Sequence, residues 1–112
     1  MNDEHLLAFV SAPPEVGRTL AQALVDEKTA ACVQIIPGAA SFYRWKGRIE
    51  SDQESLLLIK TLRSCLPRIR ALVEKIHPYE IPELLCLPIV GGLDRYLDWL
   101  RDNVDPREAP PD

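Results

Sequence analysis

The sequence has no CxxC pair, no basic cluster and no apolar run long enough to cross a bilayer. Each absence argues against a class of function. The three cysteines, Cys32, Cys65 and Cys86, are odd in number and far apart, and each sits in apolar company ("AACVQII", "SCLPRI", "LLCLPI"). That pattern speaks against a structural zinc site and for small buried hydrophobes. The formal net charge is −4, and the nearest thing to a basic patch is Arg68 and Arg70 beside Lys75. A phosphate-binding protein needs a basic face, so nucleic acid is not the expected partner. The acidic start "MNDEH" runs into only five apolar residues, "LLAFV", too few for a signal segment or a membrane span. The expectation is a soluble, cytoplasmic protein. No nucleophile elbow, glycine-rich phosphate loop or HExxH occurs, and Ser41 and Ser64 lack a base-and-orienter pattern, so no enzyme is expected.

What is present is an ordinary globular balance. Of the 112 residues, 46% are hydrophobic and 27% charged, enough for one domain with a modest core. A chain this short leaves much surface exposed, so association is a natural further source of burial. "LLAFVS" (6–11) reads as a strand buried on both faces. Pro13, Pro14 and Glu15 suit a helix start, and Val16, Leu20, Ala23 and Leu24 recur at helical spacing, predicting a helix over 14–28. "AACVQIIPG" (30–38) predicts a strand that bends at Pro-Gly and continues into "ASFYRWKGRIES". Lys46-Gly47 predicts the turn, and "ESLLLIKTL" (54–62) the return strand. This hairpin is far longer than an average strand pair and must project from so small a domain. Its aromatic tip, Phe42, Tyr43 and Trp45, would be wet unless something covers it, and a second copy of the chain is the simplest cover.

Ser64 is the expected cap of a second helix, with Pro67 in its first turn and a stripe of Leu66, Ile69, Leu72, Val73 and Ile76. Pro78 should end that helix at His77. "PELLCLPIV" (82–90) predicts a further strand, with Pro88 at an edge. Leu93, Tyr96, Leu97, Leu100 and Val104 predict a third helix. The order β-α-β-β-α-β-α implies an α+β, ferredoxin-like βαββαβ sandwich with a long hairpin and an extra C-terminal helix, in one domain over 1–104. Residues 105–112, charged and proline-rich, read as a disordered tail. In this fold the second and fourth strands lie at opposite edges, so Cys32 and Cys86 cannot share a disulfide or a metal.

Four groups of side chains are candidates for function. His77, at a helix C-terminus, is either a ligand or general acid, or a charge-matched cap of the turn. Tyr79, Glu80 and Glu83 could grip a ligand beside it, or only satisfy backbone atoms around Pro78 and Pro82. Lys60 interrupts a run of leucines and needs an acidic partner, from Glu54, Glu80 or another subunit; with one it could capture an anion in a cleft or simply form an ion pair. Glu50, Asp52 and Glu54 could hold a hard divalent ion weakly, or form a solvated edge that resists aggregation. Tyr43 and Trp45 read as interface core rather than as a stacking platform.

Four stretches together resemble the CutA divalent-ion-tolerance family: "KTAACVQIIPGAASFYRWKGRIE" (28–50), "ESLLLIKT" (54–61), "IHPYEIPELLCLPIVGG" (76–92) and "YLDWL" (96–100). The resemblance implies a ferredoxin-like protomer and a cytoplasmic homotrimer whose hairpin arms pair with neighbouring sheets. It implies a link to copper and other divalent cations, and a likeness in shape to the PII signalling trimers, which bind small ligands between subunits. In that family copper is assigned to a cysteine at the end of the first strand and to two successive histidines. Here those positions hold Val10, Ile76 and His77, so only His77 can ligate. Two alternatives stand beside metal binding: a PII-like sensor of a small anionic ligand, and a non-catalytic assembly scaffold.

Overall fold

The structure, a computed structural model, describes residues 3–106. The chain runs β1 (His5–Ala12), α1 (Pro14–Asp26), β2 (Cys32–Trp45), β3 (Arg48–Leu62), a short 3-10 turn (Arg63–Cys65), α2 (Leu66–Ile76), β4 (Leu85–Pro88) and α3 (Asp94–Asp102). The four strands form one antiparallel sheet in the order β2-β3-β1-β4. This is the expected ferredoxin-like α+β arrangement, and it puts β2, with Cys32, and β4, with Cys86, at opposite edges. All three cysteines are free.

Local chemistry explains the boundaries. Pro14 opens α1 and Glu15 lies in its first turn, where the helix dipole favours a carboxylate. At the hairpin tip Lys46 and Gly47 both take positive φ, 51° and 79°, the combination a two-residue primed turn requires. The expected bend at Pro37-Gly38 is a register shift between Ile36 and Ala39, with Gly38 at φ 77°. β1 pairs with β3 only as far as Ala12 opposite Ser55, so the arm from Ala39 to Glu54 pairs with itself alone. At about 3.3 Å per residue it projects roughly 20 Å from the domain.

One sheet face carries the helices. Ala8, Val10, Leu57 and Ile59 meet Leu20 and Leu24 of α1 and Ile69 and Val73 of α2, with Leu100 of α3 closing the core. Arg68 is buried here too, and its guanidinium donates to the carbonyls of Glu27 and Asp105. The opposite face has helical cover only at one end, where Leu97 of α3 meets His5; beyond that it is open. The register aligns Leu85, Phe9 and Leu58 across three strands, with Leu87 beside Leu7 and Ile36 beside Leu56. Leu85, Leu87 and Ile36 are about half exposed, at 57%, 52% and 46%.

Several expectations are corrected. β1 is not buried on both faces: it alternates, with Leu6, Ala8, Val10 and Ala12 buried and the intervening residues only half-buried. Its apolar run reflects a second apolar face rather than a second layer of helices. Ser64 does not cap α2; it lies in the 3-10 turn, and its hydroxyl and amide both donate to the Asp3 carboxylate. His5 begins β1, and its Nε2 lies 2.9 Å from the Leu97 carbonyl. The strand expected over 82–90 is only Leu85–Pro88, with Pro88 paired opposite Leu6 as its last residue on the sheet edge. α1 stops at Asp26, two residues short of the expected end. Most of the expected tail, 107–112, lies outside the described residues.

Candidate functional site

Pro78 keeps the residue before it out of helical geometry, and His77 is extended, with φ −73° and ψ 131°. This swings the imidazole off the helix and under the end of β1. His77 as a whole is 6% exposed. Nε2 lies 2.8 Å from the Ser11 carbonyl, which can only accept, so Nε2 carries the proton. Nδ1 accepts the Tyr79 amide at 3.3 Å. Both nitrogens are therefore engaged in one neutral tautomer, and the turn is ordered without the charged imidazole expected at a helix end. Tyr79 packs edge-on to the ring, centroids 4.5 Å apart.

From there the network reaches β3. The Tyr79 hydroxyl donates to Glu54 Oε2 at 2.9 Å. Glu54 is only 4% exposed. Its carboxylate has no cationic partner among the described residues; the phenol is its one hydrogen-bonding partner. Burial first, and then the Glu54 bond, push the Tyr79 phenol up to about 12. On the arm the Tyr43 hydroxyl donates to Asp52, and that bond is the main reason its phenol also rises to about 12. Ser11 Oγ donates to Glu83 Oε1 at 2.7 Å, tying the 77–83 turn to β1 a second time.

Between the arm and that turn lies a cleft of about 780 Å³. Phe42, Tyr43, Trp45 and Tyr79 line it together with the carboxylates of Glu54, Glu80 and Glu83 and one cation, Arg44. Of the residues singled out from sequence, the fold brings together Tyr79, Glu80, Glu54, Tyr43, Trp45 and Phe42. It does not bring Lys60. That ammonium donates to Gln34 on the open sheet face, 4.0 Å from Cys32 Sγ. It is six residues from Glu54 along β3, roughly 20 Å. Neither Glu54 nor Glu80 is its partner, because a neighbouring strand offered a nearer amide oxygen. Val10 faces the core at 0% exposure, and Ile76 packs against that core. Among the described residues no group of three or more His, Cys, Asp or Glu side chains is arranged to hold a metal ion.

Ser11 is the residue the sequence reading missed. It anchors His77 through its carbonyl and Glu83 through its hydroxyl, across 66 and 72 residues of chain. The only local hint is its place at the end of a strand before two prolines.

Residues 6–103 match the family model described as CutA1 divalent ion tolerance protein. The chain is 48% identical over 100 residues to the "Divalent-cation tolerance protein CutA" of Thermus thermophilus, covering 89% of this chain and 97% of that one. A solved structure of the Cut A1 protein from that organism superposes with a TM-score of 0.88 at 47% identity, over 90% of this chain and 99% of that one. Identity to "Protein CutA, chloroplastic" of Arabidopsis thaliana is 46% over 88% of this chain, which spans about half, 54%, of that longer relative. The apo "PII-like protein CutA" of Nostoc sp. PCC 7120 has a TM-score of 0.85 at 31% identity, over 91% of this chain and 99% of that one.

Proposed function

Because this chain belongs to the CutA1 divalent ion tolerance family, we propose that it works as a non-catalytic, cytoplasmic homotrimer whose cleft takes a positively charged ligand. The family's divalent cations are the first candidates. One observation carries the ligand half of this reading: the buried Glu54 carboxylate faces a cleft rich in acid and has no cation of its own. Its Oε2 is held by Tyr79, and its Oε1, which has no partner within the described residues, is the acceptor a bound cation would meet.

The trimer half rests on the bare apolar sheet face and the projecting arm. Phe9, Leu58 and Leu85 form an apolar row that one chain leaves uncovered, and Phe42 on the arm is 74% exposed. Patches of this kind mark association surfaces. Among the described residues no helix is long and apolar enough to cross a membrane.

A copper ion at His77 fits these residues poorly. It would have to displace either the Ser11 carbonyl or the Tyr79 amide from the ring, and no second soft donor stands beside it. The carboxylates of Glu54, Glu80 and Glu83 are hard oxygen donors that do not converge as a set of three, so a magnesium, manganese or calcium ion would take one or two of them and keep water for the rest of its shell. His77 enters the proposal as the residue that positions Tyr79. The anionic-ligand alternative rests on the PII-like shape; within one chain Lys60, its candidate anion-capturing residue, is bonded to Gln34. Calorimetry with Mn²⁺, Zn²⁺ and Cu²⁺ on the wild type, Glu54→Gln and His77→Ala tests the reading. Heat lost in Glu54→Gln but kept in His77→Ala supports it. Loss only in His77→Ala restores copper ligation, and no heat from any ion defeats a metal ligand.

A further inference from the structure

The geometry points to the cleft as a site for an organic ammonium, a primary-amine cation on an aliphatic chain, rather than for a bare metal ion. The inference rests on the cationic-ligand reading above and names the class of cation.

Three observations carry it. The first is size. A cleft of about 780 Å³ has the volume of small-molecule pockets. A single divalent ion needs only a shell of oxygens at about 2.0–2.6 Å. The second is the nature of the walls. Tyr43, Trp45 and Tyr79 contribute rings beside the acids, so the two arm rings expected at an interface serve here as walls of the cleft. Rings do not ligate hard metal ions, but their faces attract ammonium groups, and their carbon surface covers an aliphatic chain. The third is Glu54. Tyr79 occupies its Oε2, while Oε1 has no partner among the described residues. A lone acceptor oxygen at 4% residue exposure suits an N–H donor that brings its own charge. Metal binding would instead call for several convergent carboxylates, and no such group is found among the described residues. Glu80 and Glu83, both exposed, outnumber Arg44 in the lining of the cleft, so a second ammonium on the same chain would be favoured.

The test titrates the full chain with butane-1,4-diamine, with neutral butane-1,4-diol and with MnCl₂, read by calorimetry and tryptophan fluorescence. The diamine should bind and the diol should not. Glu54→Gln should weaken the diamine about ten- to a hundredfold, the range for loss of a charge-assisted hydrogen bond. Trp45→Ala should weaken it by about twofold to thirtyfold. Glu80→Gln, at an exposed position, should weaken it severalfold and keeps the test valid if Glu54→Gln fails to fold. Equal binding of diol and diamine overturns the inference, as does diamine binding indifferent to both glutamate variants. Manganese heat without diamine heat overturns it while leaving the divalent-cation reading intact. Silence from both sinks the two together.

Discussion

At the scale of single residues, the turn after α2 is decided by His77. Its two ring nitrogens close two hydrogen bonds in a buried position, so truncation should cost stability whatever it does to ligands. His77→Ala should lower the unfolding free energy by about 2–4 kcal/mol, from two lost bonds and an orphaned carbonyl. Urea denaturation followed by circular dichroism checks this; a change within about 0.5 kcal/mol would show that the ring is not structural. The phenols make a second prediction. Tyr43 and Tyr79 are each pushed up to about 12, so absorbance at 295 nm should show them still protonated at pH 10. Asp52→Ala should bring Tyr43 back towards 10. The sign of the linkage follows. Below about pH 10 both folded and unfolded states keep the Tyr79 proton, and it contributes nothing to pH dependence. Between about 10 and 12 only the folded state keeps it, so stability falls as pH rises through that window.

At the scale of elements, the arm is the weak member. Within one chain it pairs only with itself, and its ladder is closed by two left-handed residues at the tip. Alanine at Gly47 would hold a side chain at φ 79°, costing about 1–2 kcal/mol. Gly47→Ala should therefore raise amide exchange in the arm about five- to thirtyfold while leaving β1 and the core of β3 unchanged. A uniform increase across the sheet would mean that the arm and the domain open as one unit. The 77–83 turn is the opposite case: three long-range bonds, from Ser11 to His77 and Glu83 and from Glu54 to Tyr79, hold it. It should rank among the slowest-exchanging loops.

At the scale of the whole molecule, the sheet has one face under helices and one face open except where α3 meets His5. Placing a charge on the bare face should block association without unfolding the chain. Leu58→Asp should give a particle of single-chain mass by light scattering at micromolar concentration, with the wild type at three chains and the two circular-dichroism spectra alike. An unchanged assembly would move the interface off this face. The variant also asks whether the cleft, lined here by one chain's residues, needs its neighbours: if the diamine still binds single chains, it does not.

How much of this was legible in the sequence depends on the range of the forces involved. Pro14, Pro78 and Gly47 act on their own backbone angles, so α1's start, α2's end and the hairpin turn could be read residue by residue. The alternation of apolar positions set the strand order's ingredients and, with the chain order of elements, the βαββαβ fold. The two-faced burial expected of β1 was misread because a bare apolar face and a helix-covered one look alike in a string of letters. Lys60's partner and His77's hydrogen bonds were out of reach for a different reason. They depend on which backbone atoms and side chains the register brings within about 3 Å, and register is a property of strands already paired. The residue types at the cleft were thus chosen by the sequence, while their meeting, and the exclusion of Lys60 from it, were decided by the folded sheet.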